Sequence, residues 1–182
     1  MGKNILVLTG SPRKGGNSDK MADAFIRGAE KAGHNKITKI EAASLNLSPC
    51  KACDACYKNE NACCVNDDYN KVAPLLEKAD VIVFATPIYF YSFPAQIKMI
   101  IDKFNSFFIG QKPIQGKESV IMVCGGESSE NIFDGILRSY DLITDLLQWK
   151  RVGKLIVNEV NSQGDIDKTD GLIRAEELGE SI

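Results

Sequence analysis

Five of the six cysteines in this 182-residue chain fall in one short stretch: Cys50-x2-Cys53-x2-Cys56, then Cys63 and Cys64. Two x2 steps put three thiolates on one small turn, the arrangement that grips three corners of an iron–sulfur cube. Cys63 or Cys64 can return as the fourth ligand. Neighbouring side chains in an extended segment point opposite ways, so one of the two faces any cluster and the other faces away. Cys63 is assigned as the fourth ligand, although alternation alone does not fix the choice. Two other readings stay open. A zinc ion takes four thiolates, though separated CxxC knuckles are the usual source, and a metal-free loop would leave some thiols reactive. Cys124 ends an apolar run and reads as a small core residue. Asp67 and Asp68 follow the cysteines and read as caps of the next helix.

A second stretch suits an anion. Gly10-Ser11-Pro12-Arg13-Lys14-Gly15-Gly16-Asn17-Ser18 leaves an apolar run and enters a helix-period segment. Glycines permit tight turning, and successive backbone N–H groups converge on an anion at the positive end of a helix. Ser11, Asn17 and Ser18 add donors, and Arg13 adds charge. Gly10 and Gly15 have the spacing of a nucleoside-triphosphate loop, but Gly16 and Asn17 stand where Lys and Ser/Thr belong. The dinucleotide pattern G-x-G-x-x-G fails as well, because Ser11-Pro12 follows Gly10. A solvated turn with an Asn or Ser helix cap is the plain alternative; placed after the first buried strand of an α/β sheet, the loop is read as a phosphate site.

A third stretch, Thr86-Pro87-Ile88-Tyr89-Phe90-Tyr91, offers apolar and aromatic surface, and Gly125-Gly126 later lets backbone approach a ligand without a Cβ clash. His34 is the only histidine and belongs to a turn after the first helix. No side chain announces itself as a general acid or base.

These stretches need a frame. Apolar runs at 5–9, 36–41, 81–85, 119–124 and 154–160 alternate with helix-period segments at 18–32 and 69–78. Further helical segments carry Ile97, Ile100, Ile101, Phe104, Phe107 and Phe108 on one stripe, then Phe133, Ile136, Leu137, Tyr140, Ile143 and Leu147 on another, and end at 171–178. Strict β-α alternation predicts a doubly wound α/β fold, a five-stranded parallel sheet with helices on both faces. The first, third and fourth runs are apolar without interruption, as strands buried on both faces must be. The second and fifth carry polar residues, as edges do. The order 2-1-3-4-5 follows, with ligands expected beyond the carboxyl ends of strands one and three. A single domain over 1–182 is expected, with the cysteine-rich stretch at about 49–67 as an insertion. A net charge of −2 gives no footprint for nucleic acid. No apolar stretch is long enough for a membrane span or leader, so a cytoplasmic location is expected, where thiols stay reduced.

The segment 9–18, together with Thr86-Pro87-Ile88-Tyr89-Phe90-Tyr91, Gln96-Ile97-Lys98, Cys124-Gly125-Gly126 and Phe133-Asp134-Gly135, resembles the NAD(P)H-dependent FMN reductases of the flavodoxin-like superfamily. The cysteine run is similar to that of the iron–sulfur flavoproteins. The resemblance implies FMN held by Ser11, Arg13, Gly16, Asn17 and Ser18 at its phosphate, and by Thr86, Pro87, Ile88, Tyr89, Phe90, Gly125 and Gly126 around its ring. It also implies a [4Fe-4S] cluster on Cys50, Cys53, Cys56 and Cys63, and a homodimer or tetramer. NAD(P)H would be a transient electron donor, with a small molecule or protein as acceptor. The absence of an acid–base residue suits hydride transfer, in which the flavin carries the chemistry. A non-enzymatic electron carrier of the flavodoxin kind is the alternative.

Overall fold

The computed structural model describes residues 2–182, with Glu130 described by its backbone alone. Five strands, β1 (Asn4–Thr9), β2 (Lys36–Glu41), β3 (Val81–Pro87), β4 (Glu118–Cys124) and β5 (Lys150–Val157), form one sheet in the order β2-β1-β3-β4-β5. Every pairing is parallel. From Ile5 to Thr9, from Val81 to Thr86 and from Ser119 to Cys124 every residue is buried, whereas β2 is only half-covered. The continuous apolar runs thus occupy the middle of the sheet and the mixed ones its edges, as burial on two faces requires.

Helices cover both faces. On one side α1 (Asn17–Lys31) and α6 (Gly171–Glu180) pack Met21, Phe25, Ala29 and Ala175 against Ile5, Val7, Val83 and Met122. On the other lie α2 (Tyr69–Lys78), α3 (Ala95–Asp102), α4 (Asn105–Ile109) and α5 (Asp134–Leu146), over Leu6, Leu8, Ile82, Phe84 and Ile121. Phe93 belongs to this second core, its ring edge-on to Phe84. Among the described residues no helix is long and apolar enough to cross a membrane.

Three local expectations change. β5 begins at Lys150 and ends at Val157, several residues ahead of the segment 154–160. Its exposed Lys150 and Arg151 belong to the strand because they pair with Glu118 and Ser119, and a register shift follows at Val120. The stripe from Ile97 to Phe108 is two helices rather than one, and Phe108 is exposed. The break falls at Lys103, whose carbonyl accepts hydrogen bonds from Ser106 N–H (2.9 Å) and the Tyr69 hydroxyl (2.7 Å) in place of a regular helical partner. The third change concerns Asp67, which is no simple cap. Its carboxylate receives the N–H groups of Ser48 (2.9 Å) and Tyr69 (3.1 Å) and pairs with the Lys103 ammonium. Both side chains of that pair are sealed from solvent, at 3% and 2% exposure. A charge in such a place is tolerated only while its partner is present. The pair therefore bolts the far end of the cysteine-rich segment to the α3–α4 junction.

Contact between α1 and α6 is set by two glycines. A Cβ on Gly28 would lie 1.9 Å from the Glu176 carbonyl oxygen, and one on Gly179 would lie 2.1 Å from that of Phe25. Backbone thus meets backbone, and neither position can give way by a side-chain rotation. Gly28→Val should destabilise the chain by about 3 kcal/mol, the upper range for overpacking, lowering the melting temperature by roughly 6–12 °C. Arg27→Ala, which removes an exposed ion pair to Glu176 on the same seam, should change stability by less than about 1 kcal/mol. Thermal unfolding followed by circular dichroism checks both. Lys103→Met should cost about 3–5 kcal/mol in urea unfolding, because it strands the Asp67 carboxylate in the interior. Adding Asp67→Asn to that variant should restore part of the loss; equal loss in the single and double variants would show that the pair is not what anchors the segment.

Candidate functional site

The carboxyl ends of β1, β3 and β4 open on a cleft of about 270 Å³. Its wall at β1 is the loop 10–18. Gly16 precedes α1 without a side-chain cap, and no protein group among the described residues accepts the N–H of Asn17 or Ser18. A helix start carries about half a positive charge in its orphan N–H groups. Here that charge faces the cleft, flanked by Ser11, Arg13, Gly16 and Ser18. Ser18 is 2% exposed and lines the cleft. Ser11 Oγ accepts the Arg13 N–H at 3.1 Å, which leaves its own proton to donate. The turn is held by Gly15, at φ +63°, whose N–H reaches Asp19 Oδ2 at 2.9 Å. The other Asp19 oxygen is 2.6 Å from Lys39 Nζ.

Across the cleft stand Pro87, Ile88 and Tyr89 from the end of β3, with Cys124, Gly125 and Gly126 from the end of β4. The floor is close-packed: a Cβ on Gly125 would lie 3.1 Å from the side chains of Ile88 and Ile132, and one on Gly126 would lie 3.1 Å from that of Asn161, so either would need its neighbours to shift slightly. Burial pushes the Cys124 thiol up to about 12, so it stays protonated and neutral. The cleft thus joins an anion seat to a wall of Pro87, Ile88 and Tyr89 facing two glycines, which fits a phosphate ester carrying a planar ring.

Of the residues expected around a flavin, ten line this cleft and two do not: Thr86 and Phe90. Thr86 is fully buried, its hydroxyl donating to the Pro87 carbonyl at 2.9 Å. Phe90 instead is 99% exposed and lines an adjoining cavity of about 480 Å³ with Tyr91, Glu127 and Ile132. Ile88, Gly126 and Asn161 border both spaces. Phe90 and Tyr91 form a two-residue turn closed by Tyr89 N–H to Ser92 O (3.0 Å) and Ser92 N–H to Tyr89 O (3.1 Å). Both have positive φ, 46° and 64°, a conformation that costs bulky residues roughly 1–3 kcal/mol each.

The sequence reading missed a third wall. Val160, Asn161 and Gln163 follow β5 and line the cleft. Gln163 Nε2 donates to the carbonyls of Lys14 (3.1 Å) and Gly15 (3.3 Å). Asn17 answers from the other side: its Nδ2 donates to Ser162 O at 2.9 Å, and its Oδ1 accepts the N–H groups of Gly164 and Ile166. The Asn17 side chain is therefore a brace, and only its backbone is available to an anion. A polar cluster directly after a parallel strand was the available signal, hidden by setting that strand's end at 160.

The cysteine-rich segment is mounted apart from the loop 10–18. Tyr57 anchors it: Gly110 lies beneath the ring, Lys112 stands over it, and the hydroxyl donates to Glu77 at 2.6 Å. Asn70 receives the Cys63 N–H at 2.8 Å and donates to the carbonyls of Cys63 and Val65. Cys63 and Cys64 do point opposite ways. Cys63 packs half-buried against the core, and Cys64 turns outward to meet Cys53, Sγ to Sγ 3.4 Å. The Ala55 N–H and then the Cys64 thiol hold the Cys53 thiol below its usual range, and the same contact raises Cys64. Desolvation raises Cys56. Among the described residues no three His, Cys, Asp or Glu side chains are gathered as a metal ion requires. Cys50, Cys53 and Cys63 are all near enough to Cys56 to add to the rise of its thiol.

Comparison with known proteins agrees with this geometry. The sequence profile of the NADPH-dependent FMN reductases matches residues 3–133. An iron–sulfur flavoprotein of Archaeoglobus fulgidus is 28% identical over 75% of this chain and 63% of its own length. Another, from Methanosarcina thermophila, is 34% identical over 54% of this chain and 51% of its own. The chain thus spans about half to two-thirds of the length of these relatives. An NAD(P)H:quinone oxidoreductase from Methanothermobacter marburgensis superposes over 100% of this chain and 96% of its own with a TM-score of 0.78, at 18% identity. That last likeness is one of fold. With the profile covering well over half of its length and the cleft placed where the sheet order demands, the chain belongs to the NADPH-dependent FMN reductase family.

Proposed function

We propose that the chain is an oxidoreductase that holds FMN in the cleft, takes hydride from NAD(P)H and passes electrons to a small-molecule or protein acceptor. One observation carries the reading: a helix start with no side-chain cap opens, with Ser11 and Ser18, onto the same cleft as Gly125 and Gly126. Bound there, FMN supplies the hydride-accepting and electron-passing chemistry. The chain's own part is placement. The N–H groups of Asn17 and Ser18, the hydroxyls of Ser11 and Ser18, and Arg13 would bind the phosphate. Pro87, Ile88 and Tyr89 would cover one side of the ring and exclude water. The adjoining cavity beside Phe90, Tyr91 and Glu127 would receive the nicotinamide donor and then the acceptor by turns.

Two finer points belong to this proposal. A second copy would cover Phe90 and Tyr91, which a lone chain leaves wet. The relatives' names raise a [4Fe-4S] cluster on Cys50, Cys53 and Cys56 with Cys63 or Cys64. Held there, such a cluster would pass single electrons between FMN and an acceptor.

In steady state, the FMN-loaded chain should oxidise NADH or NADPH in the presence of a quinone or ferricyanide. No oxidation of either nucleotide would leave an electron carrier as the better account. Ser11→Ala with Ser18→Ala removes two charge-assisted hydrogen bonds of about 1.5–3 kcal/mol each. FMN affinity should fall at least about tenfold, while turnover at saturating FMN changes little. Unchanged affinity would move the phosphate to another part of the chain.

A further inference from the structure

We infer that Lys39 is a positioning residue for the phosphate: it offsets the charge of the Asp19 carboxylate behind the loop 10–18, so that the loop attracts a dianion instead of repelling it. The inference rests on the reading of that loop as the phosphate site.

Asp19 has two opposed effects. It lies in the first turn of α1, and its Oδ2 accepts the Gly15 N–H at 2.9 Å, which holds Gly15 at φ +63°. Asp19 thereby shapes the turn. Its charge, however, sits at the helix start that the phosphate needs, and a carboxylate in the first turn draws on the same positive end of the helix. Ser11 and Arg13 line the cleft on one side of the loop. On the other side they line a small cavity of about 60 Å³ together with Asp19 and Glu41. The anion seat is therefore a single loop with carboxylates behind it.

Lys39 enters this space from β2. It pairs in register with Val7 and lies on the strand face of Ile37, which packs against the α1 side of the sheet, whereas Ile40 packs against the other side. A lysine on the covered face of an edge strand needs a partner there. Its ammonium is 2.6 Å from Asp19 Oδ1 and 2.6 Å from Asp23 Oδ1, one helical turn further along α1. Asp19 Oδ1 is buried and accepts no hydrogen bond of regular geometry among the described residues, where Lys39 is the only cation paired with it. Desolvation lowers the Lys39 pKa, but Asp19 and then Asp23 outweigh it and hold the ammonium above its ordinary value. Lys39 thus stays charged. The Asp23 side chain is 52% exposed and screened by water, whereas that of Asp19 is 12% exposed and is screened much less. The charge that Lys39 offsets is chiefly that of Asp19.

The apo chain and its variants are titrated with FMN and with riboflavin, which lacks the phosphate, at about pH 8, where carboxylates are ionised. Flavin fluorescence is the readout. Lys39→Met leaves the Asp19 charge without its partner and should weaken FMN binding at least about tenfold, while riboflavin binding moves less than about twofold. Lys39→Arg should retain most of the FMN affinity. Lys39→Met combined with Asp19→Asn strands no charge and keeps an oxygen for the Gly15 N–H. That double variant should bind FMN as tightly as wild type, and it keeps the test open if Lys39→Met alone folds poorly. Unchanged FMN affinity in Lys39→Met, an equal loss for both flavins, or a tenfold loss of FMN affinity in the double variant would each overturn the assignment. A wild-type chain that binds FMN no more tightly than riboflavin would instead overturn the phosphate reading of the loop, so the two failures are distinct.

Discussion

The unsatisfied start of α1 is the constraint on which the rest depends. Its first N–H groups point into a cleft at the carboxyl edge of the sheet, and no side chain among the described residues caps them. A buried donor left unmade costs roughly 1–3 kcal/mol, and a protein retains such a cost where a ligand removes it. The sheet order explains the position. β1 sits beside both β2 and β3, so the helix after β1 starts where the crossovers diverge and the edge of the sheet is open. Glycines 125 and 126 keep the opposite side bare, and the loop after β5 closes the third side through Gln163 and Asn17.

The cysteine-rich segment depends on other contacts. It is tied to the α2–α4 side through Tyr57, Asn70 and the buried pair of Asp67 with Lys103, whereas α1 packs on the opposite face. The two functional regions are therefore held by separate sets of contacts. Tyr69 links the segment to the core: its hydroxyl bonds Lys103 O and Ser106 Oγ, and Lys103 stands 5.3 Å from its ring centre.

Much of this was legible in the residues because the strongest signals were local. Uninterrupted apolar runs identified β1, β3 and β4 as interior strands, and interspersed lysines marked β2 as an edge. The loop 10–18 declared itself by glycines and hydroxyls ahead of a helical stripe. What stayed hidden was set by distant partners. Asp67 reads as a cap until Lys103 arrives from α3, and the same lysine ends a helix whose stripe continues past it. Asn17 reads as a ligand donor until the loop after β5 occupies it. Alternation showed that Cys63 and Cys64 must diverge, but only the core behind Cys63 decides which of them meets Cys53.

The central claim is that the phosphate, rather than the ring, anchors the ligand. Titrating the apo chain with FMN and with riboflavin, which shares the ring and lacks the phosphate, tests it most directly, with flavin fluorescence as the readout. Two or more charge-assisted bonds of about 1.5–3 kcal/mol each predict that FMN binds at least about a hundredfold more tightly than riboflavin. Equal affinities would contradict the account, because the uncapped start of α1 would then hold nothing.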